Sequence, residues 1–72
     1  MVVKVFGNIL AKRRKESGYT QEKLAELSGY DRTYISLLER GLRQPTITTI
    51  FNLSKALKLN AHQLIKEVEE AL

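Results

Sequence analysis

Apolar residues recur along this chain at intervals of three and four, and nowhere do they alternate with polar ones for long enough to make a strand. The pattern predicts five helices. The first runs from about Val5 to Ser17, turns Phe6, Leu10 and Ile9 inward, and stops at Gly18. The second occupies about Gln21 to Leu27. Thr20 precedes it as an N-cap, Glu22 places a carboxylate near the positive end of its dipole, and Tyr19 with Leu24 forms a hydrophobic staple. The third repeats the device, with Asp31 as cap and Tyr30 with Ile35 as staple. Leu24, Ala25, Ile35 and Leu38 supply the face on which these two helices pack, and Gly29 is free to take the positive φ that ends the second. Two caps and two staples so close together specify the angle between two short helices.

After Gly41 a loop, Leu42-Arg43-Gln44-Pro45, leads to Thr46, the cap of a fourth helix with Ile47, Ile50, Leu53 and Leu57 at helical spacing. Asn60 and Gln63 form a capping box for a fifth, which carries Leu64, Ile65 and Val68. Pro45 and four glycines are the only punctuation, and no repeat or low-complexity stretch appears. The expected fold class is therefore all-α. It is a compact five-helix bundle, one domain over residues 1–72, built around a helix–turn–helix. A domain this small buries only about 60% of its unfolded surface. It has no cysteine, so neither a disulfide nor a thiolate–metal site adds stability. Helix packing or dimerisation must supply it.

A hydrophobic content of 43% suits a globular domain and excludes a disordered tail. No apolar run approaches the ~20 residues of a membrane span, and no signal peptide is evident, so a soluble cytoplasmic protein is expected. The net charge of +4 is unevenly placed. Residues 1–45 hold nine Lys/Arg against five Asp/Glu, whereas residues 46–72 hold three of each. All the excess positive charge lies in the half containing the third helix. That asymmetry suits a polyanion on one side of the molecule, although a solvated face would carry the same charge without a partner.

The third helix opens on Asp31-Arg32-Thr33-Tyr34, side chains suited to the edges of bases in a DNA major groove. Arg32 can donate two parallel hydrogen bonds to guanine O6 and N7; as a merely solvated cation it would sit unfavourably at the positive end of the dipole. Thr33 offers a hydroxyl and a methyl. Tyr34 either meets a base step or phosphate or packs against the first helix. Ser36 and Leu37 lie a turn further on, where Leu37 either meets a thymine methyl or has no DNA role. Arg40, Arg43 and Gln44 would flank the groove. Of Lys12, Arg13 and Lys15, which point to different faces of the first helix, Arg13 is the best phosphate candidate.

The positions Gln21, Ala25, Gly29, Ile35 and Leu38, with Glu39-Arg40-Gly41 and the segment Pro45 to Leu57, resemble the Xre/Cro/phage-repressor helix–turn–helix superfamily. The likeness covers roughly Phe6 to Leu64. DRTYIS followed by LLERGLRQPT is similar to the controller proteins of restriction–modification systems, which are small dimeric regulators. The resemblance implies a lambda-repressor-like fold. It implies that Gln21 bonds a DNA phosphate and braces the third helix, and that Arg14 pairs with Glu39. It also implies that Arg43 and Gln44 touch phosphate or the minor-groove edge. Lys58 departs from the pattern, standing where relatives often carry a glycine that ends the fourth helix.

A single reading helix covers few base pairs, so a homodimer on an inverted-repeat operator is expected, with reading helices about 34 Å apart. Ile50, Phe51, Leu64, Ile65 and Val68 are the candidate interface, with Phe51 and Val68 foremost, although some of these must fill the monomer core. RNA polymerase is a further candidate partner. Two other readings use the same fold: a phage or chromosomal repressor, and an antitoxin- or coactivator-type module that bridges proteins. Catalysis has no foothold. His62 is the only histidine and lacks acidic or thiol neighbours, Glu67, Glu69 and Glu70 read as a solvated run, and there is no glycine-rich phosphate loop. No cofactor, metal or small-molecule ligand is expected.

Overall fold

The computed structural model describes all residues, 1–72, and contains five α-helices with no strand. They are α1 (Val2–Glu16), α2 (Gln21–Ser28), α3 (Arg32–Glu39), α4 (Ile47–Ala56) and α5 (Ala61–Ala71). Each expected element is present. The main displacement is at the start of α1, which begins at Val2 rather than near Val5. Val5 N donates to Met1 O at 3.0 Å, and Val3 and Val5 are half-buried, so tertiary contact overrides the poor helix propensity of a valine-rich opening.

The caps form as local chemistry demands. Thr20 Oγ1 accepts from Lys23 N at 3.0 Å, Asp31 Oδ1 from Tyr34 N at 2.7 Å, and Thr46 Oγ1 from Thr49 N at 3.0 Å. Asn60 N donates to Gln63 Oε1 at 2.8 Å. Gly29 ends α2 at φ 81°, in the left-handed conformation, and the backbone N–H of Tyr30 returns to Ala25 O at 2.9 Å. Lys58 takes the same conformation, φ 60°, where a glycine would be unstrained.

Every helix contributes a side chain with no exposed surface: Leu10 from α1, Leu24 from α2, Ile35 and Leu38 from α3, Leu53 from α4 and Leu64 from α5. Each such residue stabilises the fold by about 1.5–3 kcal/mol of apolar burial. Tyr19 and Tyr30, the residues before the caps of α2 and α3, pack partly buried against this cluster. The third helix lies against α1 and α2, while α5 closes the bundle against α1 and α4. The crossing of α1 over α3 is close because Gly7 is buried there; a β-carbon at that position would meet the Glu39 carbonyl oxygen at 2.7 Å.

The fourth helix departs from the apolar pattern. Ile47, at helical spacing with Ile50, Leu53 and Leu57, is 74% exposed, and the buried stripe runs instead through Thr49, Leu53 and Leu57. Thr49 is tolerated inside because its hydroxyl lies 3.0 Å from the Tyr34 hydroxyl and 2.8 Å from the Thr46 hydroxyl. Leu64 and Val68, named above with the dimer interface, belong to the monomer core at 0% and 6% exposure. Their positions on α5 face α1 and α4, which consume that apolar stripe within the monomer.

Candidate nucleic-acid interface

The third helix is divided lengthwise. Ile35 and Leu38 are buried, whereas Arg32 and Thr33 are exposed and Ser36 and Leu37 are partly so. Residues 32, 33, 36 and 37 share the outer face at helical spacing, so the hydrophobic anchor turns the polar face outward. Arg32 lines a polar notch with Arg14, Thr20, Gln21 and Glu22, which brings the start of α3 beside the start of α2. The starts of two helices and an exposed arginine therefore converge at one end of the motif, together with the Thr20 hydroxyl and the Glu22 carboxylate. Such a surface offers donors to an anion and to base edges.

Glu39, the last residue of α3, anchors the opposite end of the helix. It accepts from Arg14 Nε at 2.7 Å and from Arg14 Nη2 at 3.1 Å, and from Gln21 Nε2 at 3.0 Å. Arg14 also donates from Nη1 to the Tyr19 carbonyl at 2.9 Å. The side chains of Arg14 and Glu39 are 12% and 6% exposed, so this is a largely desolvated, bidentate pair. It ties α1, the α1–α2 turn and α3 together. Gln21, half-buried, braces α3 through Glu39 while its helix end stays at the notch.

Beyond α3, Arg40, Arg43 and Gln44 are exposed along the turn and loop that precede α4. The fold adds a cation that sequence reasoning missed. Lys4, from the first turn of α1, packs its backbone against Gly41, whose φ is 71°. It joins the neighbourhood of Arg40 and Arg43 although 37 residues separate Lys4 from Gly41, and no local pattern announces it.

Two of the candidate side chains are committed elsewhere. Arg13 donates from Nε to Glu67 Oε1 at 2.9 Å and from Nη2 to Glu67 Oε2, a bidentate pair between α1 and α5. Glu67 is thus half-buried and paired, not part of a solvated run. Tyr34 is half-buried against the core, its ring 5.0 Å from that of Tyr30, with its hydroxyl on Thr49 of α4. Its hydroxyl meets α4, and its ring packs on the core cluster to which α1 also contributes.

Some large apolar side chains stay exposed on the last two helices. Ile47 and Phe51 stand out from α4 and Ile65 from α5. Ile50 and Ile65 line an apolar groove with Phe6, Pro45 and Val68. No group of His, Cys, Asp or Glu is arranged to hold a metal ion, and no helix is long and apolar enough to cross a membrane.

Comparison with known proteins agrees with this geometry. An uncharacterized HTH-type transcriptional regulator of Sinorhizobium fredii, y4dJ, is 39% identical over 67 residues, covering 93% of this chain and 87% of that protein. The control protein C.SmaI of Serratia marcescens is 42% identical over 52 residues, covering 72% of this chain and 62% of C.SmaI. The crystal structure of the restriction–modification controller protein C.AhdI from Aeromonas hydrophila superposes with a TM-score of 0.82 at 41% identity, covering 88% of this chain and 90% of that one. These relatives are regulatory proteins. The helix-turn-helix family pattern HTH_3 matches residues 10–64, and the chain belongs to that family of DNA-binding transcriptional regulators.

Proposed function

We propose that this chain is a sequence-specific regulator that binds an inverted-repeat operator in the cytoplasm as a homodimer. The observation that carries the reading is the division of α3: Ile35 and Leu38 are fully buried, and this holds Arg32 and Thr33 outward, with Arg32 beside the start of α2. In this reading Arg32, Thr33, Ser36 and Leu37 meet base edges. Gln21, Arg40, Arg43 and Gln44 meet phosphate or the groove edge and set the register. Arg13, held by Glu67, has a smaller part in backbone contact than its position in the sequence implies.

Dimerisation fits the apolar surface. Ile47 and Phe51 on α4 and Ile65 on α5 are exposed, and Ile65 lines an apolar groove with Ile50. A symmetric pair would cover it and present two α3 helices to half-sites one helical turn apart. The likeness to C.SmaI and C.AhdI supports a restriction–modification controller acting by occupancy near a promoter, with autoregulation and contact with RNA polymerase as consequences of where the operator lies. Protein concentration would then set occupancy through the dimerisation equilibrium.

The test is selection of the purified protein against a random duplex library at moderate salt, with sequencing of the bound fraction. The expected result is an inverted repeat with half-site centres about 10 bp apart. A single enriched half-site would retain DNA reading and remove the dimer. No enrichment would overturn the function and favour a protein-bridging module.

A further inference from the structure

The third helix packs on α1 and α2 but makes no comparable approach to α4. Its direct polar tie to α4 runs through one side chain. The Tyr34 hydroxyl lies 3.0 Å from Thr49 Oγ1, and Thr49 Oγ1 lies 2.8 Å from Thr46 Oγ1, which also accepts from Thr49 N. A second tyrosine supports the first. Tyr30, just before the cap of α3, packs its ring against that of Tyr34, tilted by 52° with centroids 5.0 Å apart, and accepts at its hydroxyl from Asn52 Nδ2 at 3.0 Å. Thr49 and Asn52 are three apart on one face of α4, so two packed rings bring their hydroxyls to adjacent positions of the same helix. Three residues of that helix, Ile47, Ile50 and Phe51, form part of the proposed association face, and α4 follows the loop of Arg43 and Gln44.

We infer that Tyr34 is a positioning residue: through its hydrogen bond to Thr49 it sets the reading helix against α4, and thereby against the proposed dimer face, instead of spending its hydroxyl on a base. Half-buried against the core, the ring has its polar end on Thr49 of α4. The chemistry of the network also makes the tie separable from folding. Thr49 is 3% exposed and keeps Thr46 as a partner when the tyrosine hydroxyl is removed, so Tyr34→Phe leaves no buried hydroxyl without one. The inference rests on the DNA-reading function proposed above.

A double-mutant cycle tests it, read as affinity for the duplex that the wild-type chain enriches, at a temperature where every variant is folded. Tyr34→Phe and Thr49→Val are each expected to weaken binding about fivefold, the scale of one net hydrogen bond. Together they should still weaken it about fivefold, while Thr49→Ser, which keeps the hydroxyl, should bind as the wild type does. Losses that multiply to about twenty-five-fold would place the Tyr34 hydroxyl on DNA independently of Thr49 and overturn the inference. So would an unchanged affinity for Tyr34→Phe, or a Thr49→Ser variant as weak as Thr49→Val. Failure of the wild type to enrich any duplex would instead sink the DNA-reading function and this inference with it.

Discussion

Arg14 and Glu39, 25 residues apart, are joined by two hydrogen bonds at 2.7 and 3.1 Å at the end of α3. Glu39 simultaneously holds Gln21 at 3.0 Å, so one carboxylate fixes both helices of the motif to α1. Burial decides what this is worth. An exposed pair contributes a few tenths of a kcal/mol, but removing one partner of a desolvated pair leaves an uncompensated charge. Glu39→Ala is therefore expected to lower unfolding stability by about 3 kcal/mol in urea titration. Replacing both residues with apolar ones of similar length should cost less than Glu39→Ala alone.

Arg32 and Arg43 are both exposed, so their replacement tests function without disturbing the fold. Arg32→Ala should cost about 1–3 kcal/mol on the selected operator and relax preference at one base pair. Arg43→Ala should weaken binding to most sequences and reduce the slope of affinity against salt by about one. Competition binding at several salt concentrations separates the two. If Arg32→Ala leaves base preference unchanged, it leaves the reading set.

Gly7 is required by close approach. A side chain there would push against the backbone carbonyls of Leu38 and Glu39, which cannot yield as a flexible side chain can. Gly7→Ala, a favourable change in an isolated helix, should instead destabilise by more than about 2 kcal/mol and loosen α1 from α3. Thermal unfolding by circular dichroism reads the sign directly.

Lys58, at φ 60°, bears the strain of a left-handed residue with a β-carbon. Lys58→Gly should raise stability by up to about 1 kcal/mol, offset in part by the greater freedom of the unfolded chain. An unchanged or lower urea midpoint would show that Lys58 relieves the strain through its side chain.

Phe51 and Leu64 separate association from core. Phe51 is 60% exposed and Leu64 has no exposed surface. Phe51→Glu should weaken self-association about tenfold or more in sedimentation equilibrium while leaving the monomer folded. Leu64→Ala should cost about 2–5 kcal/mol of unfolding stability whatever the oligomeric state.

The amino-acid sequence by itself determined the five helices, the caps at Thr20, Asp31 and Thr46, the staples at Tyr19 and Tyr30, and the outward placement of Arg32 and Thr33. Each depends on interactions within four or five residues, so local spacing encodes it. Tertiary structure alone decided the rest. Arg13 met Glu67 across 54 residues, Lys4 came to Gly41, and Gly7 became the contact point of α1 with α3. The buried stripe of α4 passed through Thr49 in place of Ile47, where the Thr46 hydroxyl and a tyrosine from another helix both reach the buried hydroxyl. Leu64 and Val68 went to the core, leaving Ile47, Phe51 and Ile65 exposed, because the rotation of α4 and α5 follows from how the helices fill shared volume. Periodicity reports which residues share a face; the neighbour which that face meets, and hence the side chains left for DNA or a second subunit, emerges only when all five helices pack at once.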